Sequence, residues 1–398
     1  MRDAEWEKRS EMLPLSGVRV VEFCQVLAGP YCGMLLADLG AEVIKVEPPD
    51  GDMMRQWPPI TEGTNGGYSE NFASINRNKR SVVLDLKNPA HKAAARELVL
   101  SADVVLENNR PGVMDRLGLG YESFRQEKPG LVYCSISAFG QSGPRSSEGG
   151  FDVTVQAMSG IMSVTGEPDG APVKCGVPVS DVGTGLYAAF TIVSVLRRVA
   201  GGGEGAHIDA SMLGCSLGMA ALQTSEFFGT GRDPKKLGSA HPRNAPYQAF
   251  KAADGHFVIA AGNNKLWEAV TEVVGRPDLL ADTRFATTTS RAANQVVLKD
   301  LLEVEFAKQG VDHWLAAFEK AGVPQGRINS YSQILADPQV QHMGWVEEMA
   351  LPSGVKTRTF GSPVRILGTD LAKRRDPPAL GADTEAVFGS SLLRKAAE

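Results

Sequence analysis

Five short runs in the first third of the chain decide the fold: Val18–Phe23 (VRVVEF), Glu42–Val46 (EVIKV), Ser81–Leu86 (SVVLDL), Asp103–Glu107 (DVVLE) and Leu131–Ser137 (LVYCSIS). Each is rich in β-branched residues and nearly continuous in apolar character, as strands of a parallel sheet are when both faces are covered. Helical segments fill the gaps between them. Gly29–Leu39 follows the first run, and Asn88-Pro89 opens a helix through Ser101, with Asn as N-cap and Pro at the first helical position. This alternation predicts a doubly wound α/β domain.

Working outward, a longer helix is expected from Asp181 to Val199, with Leu186, Ala189, Ile192, Val193 and Leu196 facing inward. Gly201-Gly202-Gly203 ends it, and Ala206–Ala210 resumes as a strand. The expected organisation is a large domain over 1–205, a linker over 206–229, a small α+β domain over 230–325, and 326–398 as return linker and C-terminal part of the large domain. The small domain should hold a strand at His256–Ala260 and helices at Leu266–Val274 and Asn294–Phe306.

The chain has 398 residues, 43% of them hydrophobic, and a formal charge of −5. That balance argues against nucleic-acid binding, which usually needs a basic excess. The densest apolar stretch, Leu186–Leu196, is shorter than the roughly 20 residues of a bilayer-crossing helix, so no membrane association is expected. Met1–Arg9 is charged in both signs and does not read as a secretory signal. The five cysteines (Cys24, Cys32, Cys134, Cys175, Cys215) contain no C-x-x-C pair, so reduced thiols in a cytoplasmic setting are expected, with a mitochondrial matrix as the other compartment. The six histidines lack metal-ligand spacing, and no metal is expected.

Three features are candidates for chemistry. Gly183-Thr184-Gly185-Leu186-Tyr187-Ala188 matches G-x-G-x-x-A, with Asp209 some 20 residues beyond, as in a dinucleotide site. The run before it contains Pro178, and the first strand leads into Ala28-Gly29-Pro30 without such a fingerprint, so close helix packing is the favoured reading. Asp181 is read either as a plain N-cap or as a carboxylate nucleophile held ionised at a helix N-terminus, with position alone favouring the cap. Basic residues gather at Asn76–Arg80, Arg110 and Arg116, at strand ends where an anionic ligand sits in such folds, and again in the turn His241-Pro242-Arg243-Asn244.

A set of ordered motifs then carries a resemblance. LSGVRVVEF (15–23), LAGP (27–30), DLGAEVIKVE (38–47), NKRS (78–81), LDLK (84–87), Glu107-Asn108, RPG (110–112), GQSGP (140–144) and GVPVSD (176–181) together resemble the class III CoA-transferases, the family of formyl-CoA transferase and the carnitine-pathway CoA-transferase. The similarity runs from about 13 to 390. It implies a Rossmann-like large domain built from both chain ends, a smaller α+β domain, and an interlocked homodimer with sites at the interface. It implies Asp181 as the catalytic aspartate, in place of the capping role. Coenzyme A contacts are implied at Val26, Leu27 and Ala28, at Leu84, Asp85 and Lys87, at Asn108, Asn109, Arg110 and Arg116, and from Gly149 through Phe151 and Asp152.

Acyl-CoA and small carboxylic acids are thus the expected substrates, with no permanently bound cofactor. Leu27 stands where formyl-CoA transferase has glutamine, and its tetraglycine loop has no counterpart here. Gly238–Phe250 stands there instead and, with Ala260–Asn264, is most similar to members acting on succinyl, glutaryl, mesaconyl or itaconyl groups. His241, Arg243 and Asn244 are the candidate substrate loop, and Ala240–Pro246 a candidate cover. The α-methylacyl-CoA racemases share the aspartate but pair it with a histidine where this chain has Phe151. Racemisation and a non-catalytic CoA- or nucleotide-binding role are the alternatives.

Overall fold

The computed structural model describes residues 13–389; the Met1–Arg9 reading lies outside them. The strands are β1 (Arg19–Phe23), β2 (Glu42–Glu47), a hairpin of β3 (Ile60–Gly63) and β4 (Gly66–Ser69), β5 (Lys79–Val83), β6 (Val104–Glu107), β7 (Val132–Ser137) and β8 (Ala206–Ser211). Six of them form one sheet in the order β5-β2-β1-β6-β7-β8, with every neighbour parallel. Counted along the chain, that order is 3-2-1-4-5-6, the order of doubly wound dinucleotide folds.

The continuous apolar runs are explained by what covers them. Alternate residues of a strand point to opposite faces. Val20, Val43, Val104 and Cys134 pack with helix α1 (Ala28–Asp38) and with Ala188, Ala189 and Ile192. Val21, Phe23, Ile44, Val105 and Tyr133 pack on the other face with Ala95, Leu98 and Val99 of helix α2 (Pro89–Ser101). Asn88 caps α2, its Oδ1 accepting from the amides of Ala90 at 2.8 Å and His91 at 3.4 Å.

The chain falls into two compact units. Of the described residues, the first takes those up to Ile161, Lys174–Thr230, and those from Gln339 on. The second takes Met162–Val173 and Gly231–Pro338. The expected linker at 206–229 is instead an integral part of the first unit: edge strand β8 followed by two helices, Met212–Met219 and Ala221–Thr230. Residues 162–173, expected in the large domain, pack with the second unit, where the Gly238 amide donates to the Gly166 carbonyl. No sequence period reports such a long-range contact.

The second unit is a three-stranded antiparallel sheet, order β11-β10-β9, made of β9 (Tyr247–Lys251), β10 (His256–Ala260) and β11 (Gln325–Arg327). Phe250, Phe257, Phe306, Trp314 and Phe318 form its aromatic core. The segment expected as return linker and C-terminal part of the large domain includes a hairpin of β12 (Val346–Ala350) and β13 (Lys356–Phe360).

The cap geometry gives a stability test. Asn88→Ala is expected to cost about 1 kcal/mol, read as a lower midpoint in urea with an unchanged slope.

Candidate active site

Parallel sheets of this order open a crevice at the carboxyl ends of the strands where the chain direction reverses, here between β1 and β6. The loops there carry most of the candidate CoA contacts. A groove of about 270 Å³ is lined by Phe23, Gln25, Leu84, Asp85, Lys87 and Asn109, among others. The loops tie to one another: the Gln25 amide donates to Asn108 Oδ1 at 2.9 Å, and Asn108 Nδ2 donates to the Gln25 carbonyl at 2.8 Å. Asn109 donates its amide to Glu107 Oε2 at 2.8 Å, and Asp85 Oδ1 accepts the Lys87 amide at 3.0 Å. Arg110, Arg116 and Lys87 are exposed, and a Cβ on Gly149 would lie 3.1 Å from the Arg110 guanidinium. Val26 and Leu27 are half-buried in the β1–α1 turn, and Ala28 is the buried first residue of α1.

Asp181 stands in the first turn of a 22-residue helix, Val179–Ala200. It is the third helical residue, not the cap, so the capping reading is corrected by geometry. The position before the helix is Pro178, whose side chain makes no capping bond. The cap is supplied from elsewhere: Asp152, at the start of helix α3 (Asp152–Met158), accepts the Ser180 amide with Oδ1 at 2.9 Å and Gln156 Nε2 with Oδ2 at 2.7 Å. The amides of Val179 and Val182 go to the carbonyls of Val177 and Pro178. Numbered in order, Val179–Ala200 is helix α4.

The surroundings of Asp181 oppose the ionised form that was expected at the helix terminus. Burial pushes its carboxyl up, and the neighbouring Asp152 charge pushes it further, to about 7. Desolvation and like-charge repulsion both act against the charged form. Such a carboxylate is poorly solvated and correspondingly reactive, and it titrates where enzymes work.

The G-x-G match belongs to helix packing. A Cβ on Gly185 would stand 2.9 Å from the Ala28 carbonyl oxygen, and one on Gly183 would overlap Met219 Sδ at 2.3 Å. These two glycines let α4 lie against α1 and against helix α5 (Met212–Met219). Gly183 is the fifth residue of α4, past the amides free to bind a ligand or an oxyanion. Leu186, expected inward, is exposed together with Tyr187 and Phe190. The helix is apolar nearly all round, so its period does not select a face. Its 22 residues and mean hydropathy of 1.5 also suit a bilayer by length and composition; in this fold it packs against α1 and the sheet.

Phe151 is 67% exposed one residue before α3. His241, Arg243 and Asn244 lie in the second unit, where His241 Nδ1 accepts the amides of Arg243 and Asn244, both at 3.1 Å. The buried Arg291 guanidinium anchors the end of that turn through the Ala245 carbonyl at 2.9 Å. Among the described residues, no cluster of His, Cys, Asp and Glu is placed to hold a metal ion. Sequence reading missed Asp52, which reaches the β1–α1 turn from beyond β2, and did not show that Asn108 would clamp the main chain of Gln25. Once the strand order is known, the loop after β2 becomes a neighbour of the loop after β1, and only that adjacency singles Asp52 out.

Residues 15–384 match the family model described as CoA-transferase family III. The succinate–glutarate CoA-transferase of Agrobacterium fabrum is 42% identical over 92% of this chain and 93% of its own length. The human succinyl-CoA:glutarate CoA-transferase is 38% identical over 95% of this chain and 86% of its own. Among solved structures, a CAIB/BAIF family protein from Brucella suis superimposes with a TM-score of 0.85 at 40% identity, covering 96% of this chain and 99% of that one. A fold with its crevice between β1 and β6, a perturbed aspartate at the head of α4 and relatives of this likeness place the chain in CoA-transferase family III.

Proposed function

We propose that this CoA-transferase moves coenzyme A from succinyl-CoA, or a similar dicarboxylic acyl-CoA, to a carboxylic acid acceptor, with Asp181 as nucleophile. The observation that carries the reading is the half-buried Asp181 carboxyl, raised to about 7 at the head of α4. Relatives named for succinate, glutarate and mesaconate transfer support the dicarboxylic class.

An Asp181 oxygen attacks the donor thioester carbonyl. The C–S bond breaks, leaving an aspartyl–acyl anhydride and CoA thiolate. The thiolate attacks the aspartyl carbonyl, the anhydride C–O bond breaks, and the donor acid leaves as carboxylate. The acceptor carboxylate then runs the sequence in reverse. No step transfers a proton, so no second acid or base is needed. A side chain such as Phe151 in place of a histidine is compatible with transfer and leaves α-proton exchange without a partner. Lys87, Arg110 and Arg116 are read as neutralising CoA phosphates, with Val26, Leu27, Ala28, Leu84, Asp85, Asn108, Asn109 and Gly149 shaping the rest of the site. Arg243 is read as holding the distal carboxylate of a dicarboxylic acceptor.

The working form is proposed to be an interlocked homodimer. Support comes from apolar side chains left uncovered in the first unit, Phe190 at 73% and Phe228 at 83% exposure, with Leu186, Tyr187 and Leu222. An aqueous, cytoplasmic setting is proposed from the free cysteines.

Purified protein given succinyl-CoA and a panel of carboxylic acids should yield a new acyl-CoA by mass spectrometry, lost by ~10³-fold or more in Asp181→Asn. Wash-in of solvent deuterium α to the thioester without transfer would instead support racemisation.

Transfer needs ionised Asp181, so kcat/KM should rise with pH to a plateau with its midpoint near 7. Asp152→Asn keeps an oxygen for the Ser180 amide but removes the charge, and should move that midpoint to lower pH.

A raised folded-state carboxyl binds protons the unfolded chain has released, so stability falls as pH rises from the ordinary Asp range to about 7. Asp181→Asn is therefore expected to melt higher than wild type at pH 8, by about 1–3 kcal/mol, and nearly equally at pH 4.

A further inference from the structure

Four charged side chains lie fully buried beneath the β1–α1 turn, each with 0% of its side chain exposed. They form a chain: Asp52 Oδ2 to Lys45 Nζ at 2.9 Å, Lys45 Nζ to Glu22 Oε1 at 3.1 Å, and Glu22 Oε2 to Lys79 Nζ at 2.9 Å. Glu22 and Lys45 are direct partners across β1 and β2. Even α1 is shaped around them, since a Cβ on Gly33 would come within 2.0 Å of Glu22 Oε2.

Buried ion chains are no cheaper than a packed apolar core, so stability alone does not account for one. What this chain touches does. Lys45 Nζ donates to the Cys24 carbonyl at 2.6 Å, and Lys79 Nζ to the Pro30 carbonyl at 2.7 Å. Between them, both oxygens of Asp52 accept the Val26 amide, at 3.1 and 3.2 Å. Val26 has φ of +66°, the left-handed region that a β-branched residue strongly disfavours. The charges thus grip the backbone of Cys24–Pro30 at three points, and Asp52 holds the one residue that resists its conformation.

We infer that Asp52 is a positioning residue for CoA transfer: through the Val26 amide it locks the left-handed turn that presents Leu27 and Ala28 to the acyl-CoA. The inference rests on the proposed contact of residues 26–28 with substrate. Glycine adopts positive φ freely, so it makes the lock dispensable.

The test compares Asp52→Ala, Val26→Gly and the double variant by steady-state kinetics with succinyl-CoA, alongside melting temperatures. Asp52→Ala is expected to lower kcat/KM at least tenfold. The double variant should recover most of that loss while its melting temperature stays as low as that of Asp52→Ala, because the buried Lys45–Asp52 ion pair is missing in both. Rescue of kinetics without rescue of stability is the signature of positioning. Wild-type kcat/KM in Asp52→Ala, or a double variant as impaired as Asp52→Ala, overturns the proposal. If the alanine variant does not fold, Asp52→Leu, of similar shape and without an acceptor for the Val26 amide, carries the same comparison. Leu27→Ala separates the two levels: unchanged kinetics overturns the substrate contact and the proposal with it, whereas altered kinetics without rescue by Val26→Gly overturns the positioning role alone.

Discussion

Helix α4 can lie against the first turn of α1 only because Gly185 has no side chain; any Cβ would meet the Ala28 carbonyl oxygen. From that approach follows the placement of everything chemical in the first unit. With Gly185 seated on α1, Asp181 lies one turn earlier, toward the end of the helix that starts near the carboxyl edge of the sheet. Gly183, seated on Met219, fixes the rotation of α4 about its own axis. The buried hydroxyls of Ser180, Thr184 and Ser216 fill the same seam, Ser216 donating to Ser180 at 2.9 Å and Thr184 to the Ser180 carbonyl at 2.6 Å.

The electrostatics of the site set reactivity against stability. A carboxyl group at a helix N-terminus would ordinarily be stabilised as an anion. Here the cap belongs to Asp152, a second anion, and Asp181 is left to burial and repulsion. The charged form is disfavoured by the fold and required by the proposed chemistry, a combination common where side chains act as nucleophiles. In the β1–α1 turn, by contrast, four buried charges pair with one another and also bind the strained backbone of Cys24–Pro30.

Much of the architecture was legible in the chain. The strands at Arg19–Phe23, Glu42–Glu47, Val104–Glu107 and Val132–Ser137 agree with the apolar runs to within a residue, because burial on both faces leaves a continuous hydrophobic trace. Lys79–Val83 begins two residues early and stops short of Leu86, since Leu84–Lys87 turns away to line the groove. Asn88 announces its helix because a cap is a local interaction. Where the signal was absent, structure still formed: Ala221–Thr230 is helical with none of its residues buried in the isolated chain, and such a helix leaves no amphipathic period to read.

The sequence by itself determined the alternation of strand and helix, the family, and the identity of Asp181 as the residue to watch, since these depend on neighbours a few positions apart or on ordered motifs. Only the tertiary structure decided that Asp181 is a third helical residue beside Asp152, that Gly183 and Gly185 are packing contacts and not a phosphate cradle, and that Asp52 reaches Val26 across the sheet edge. The physical reason is common to all three. Charge environment, close approach and backbone strain depend on groups far apart in sequence that meet only when the strands take the order 3-2-1-4-5-6.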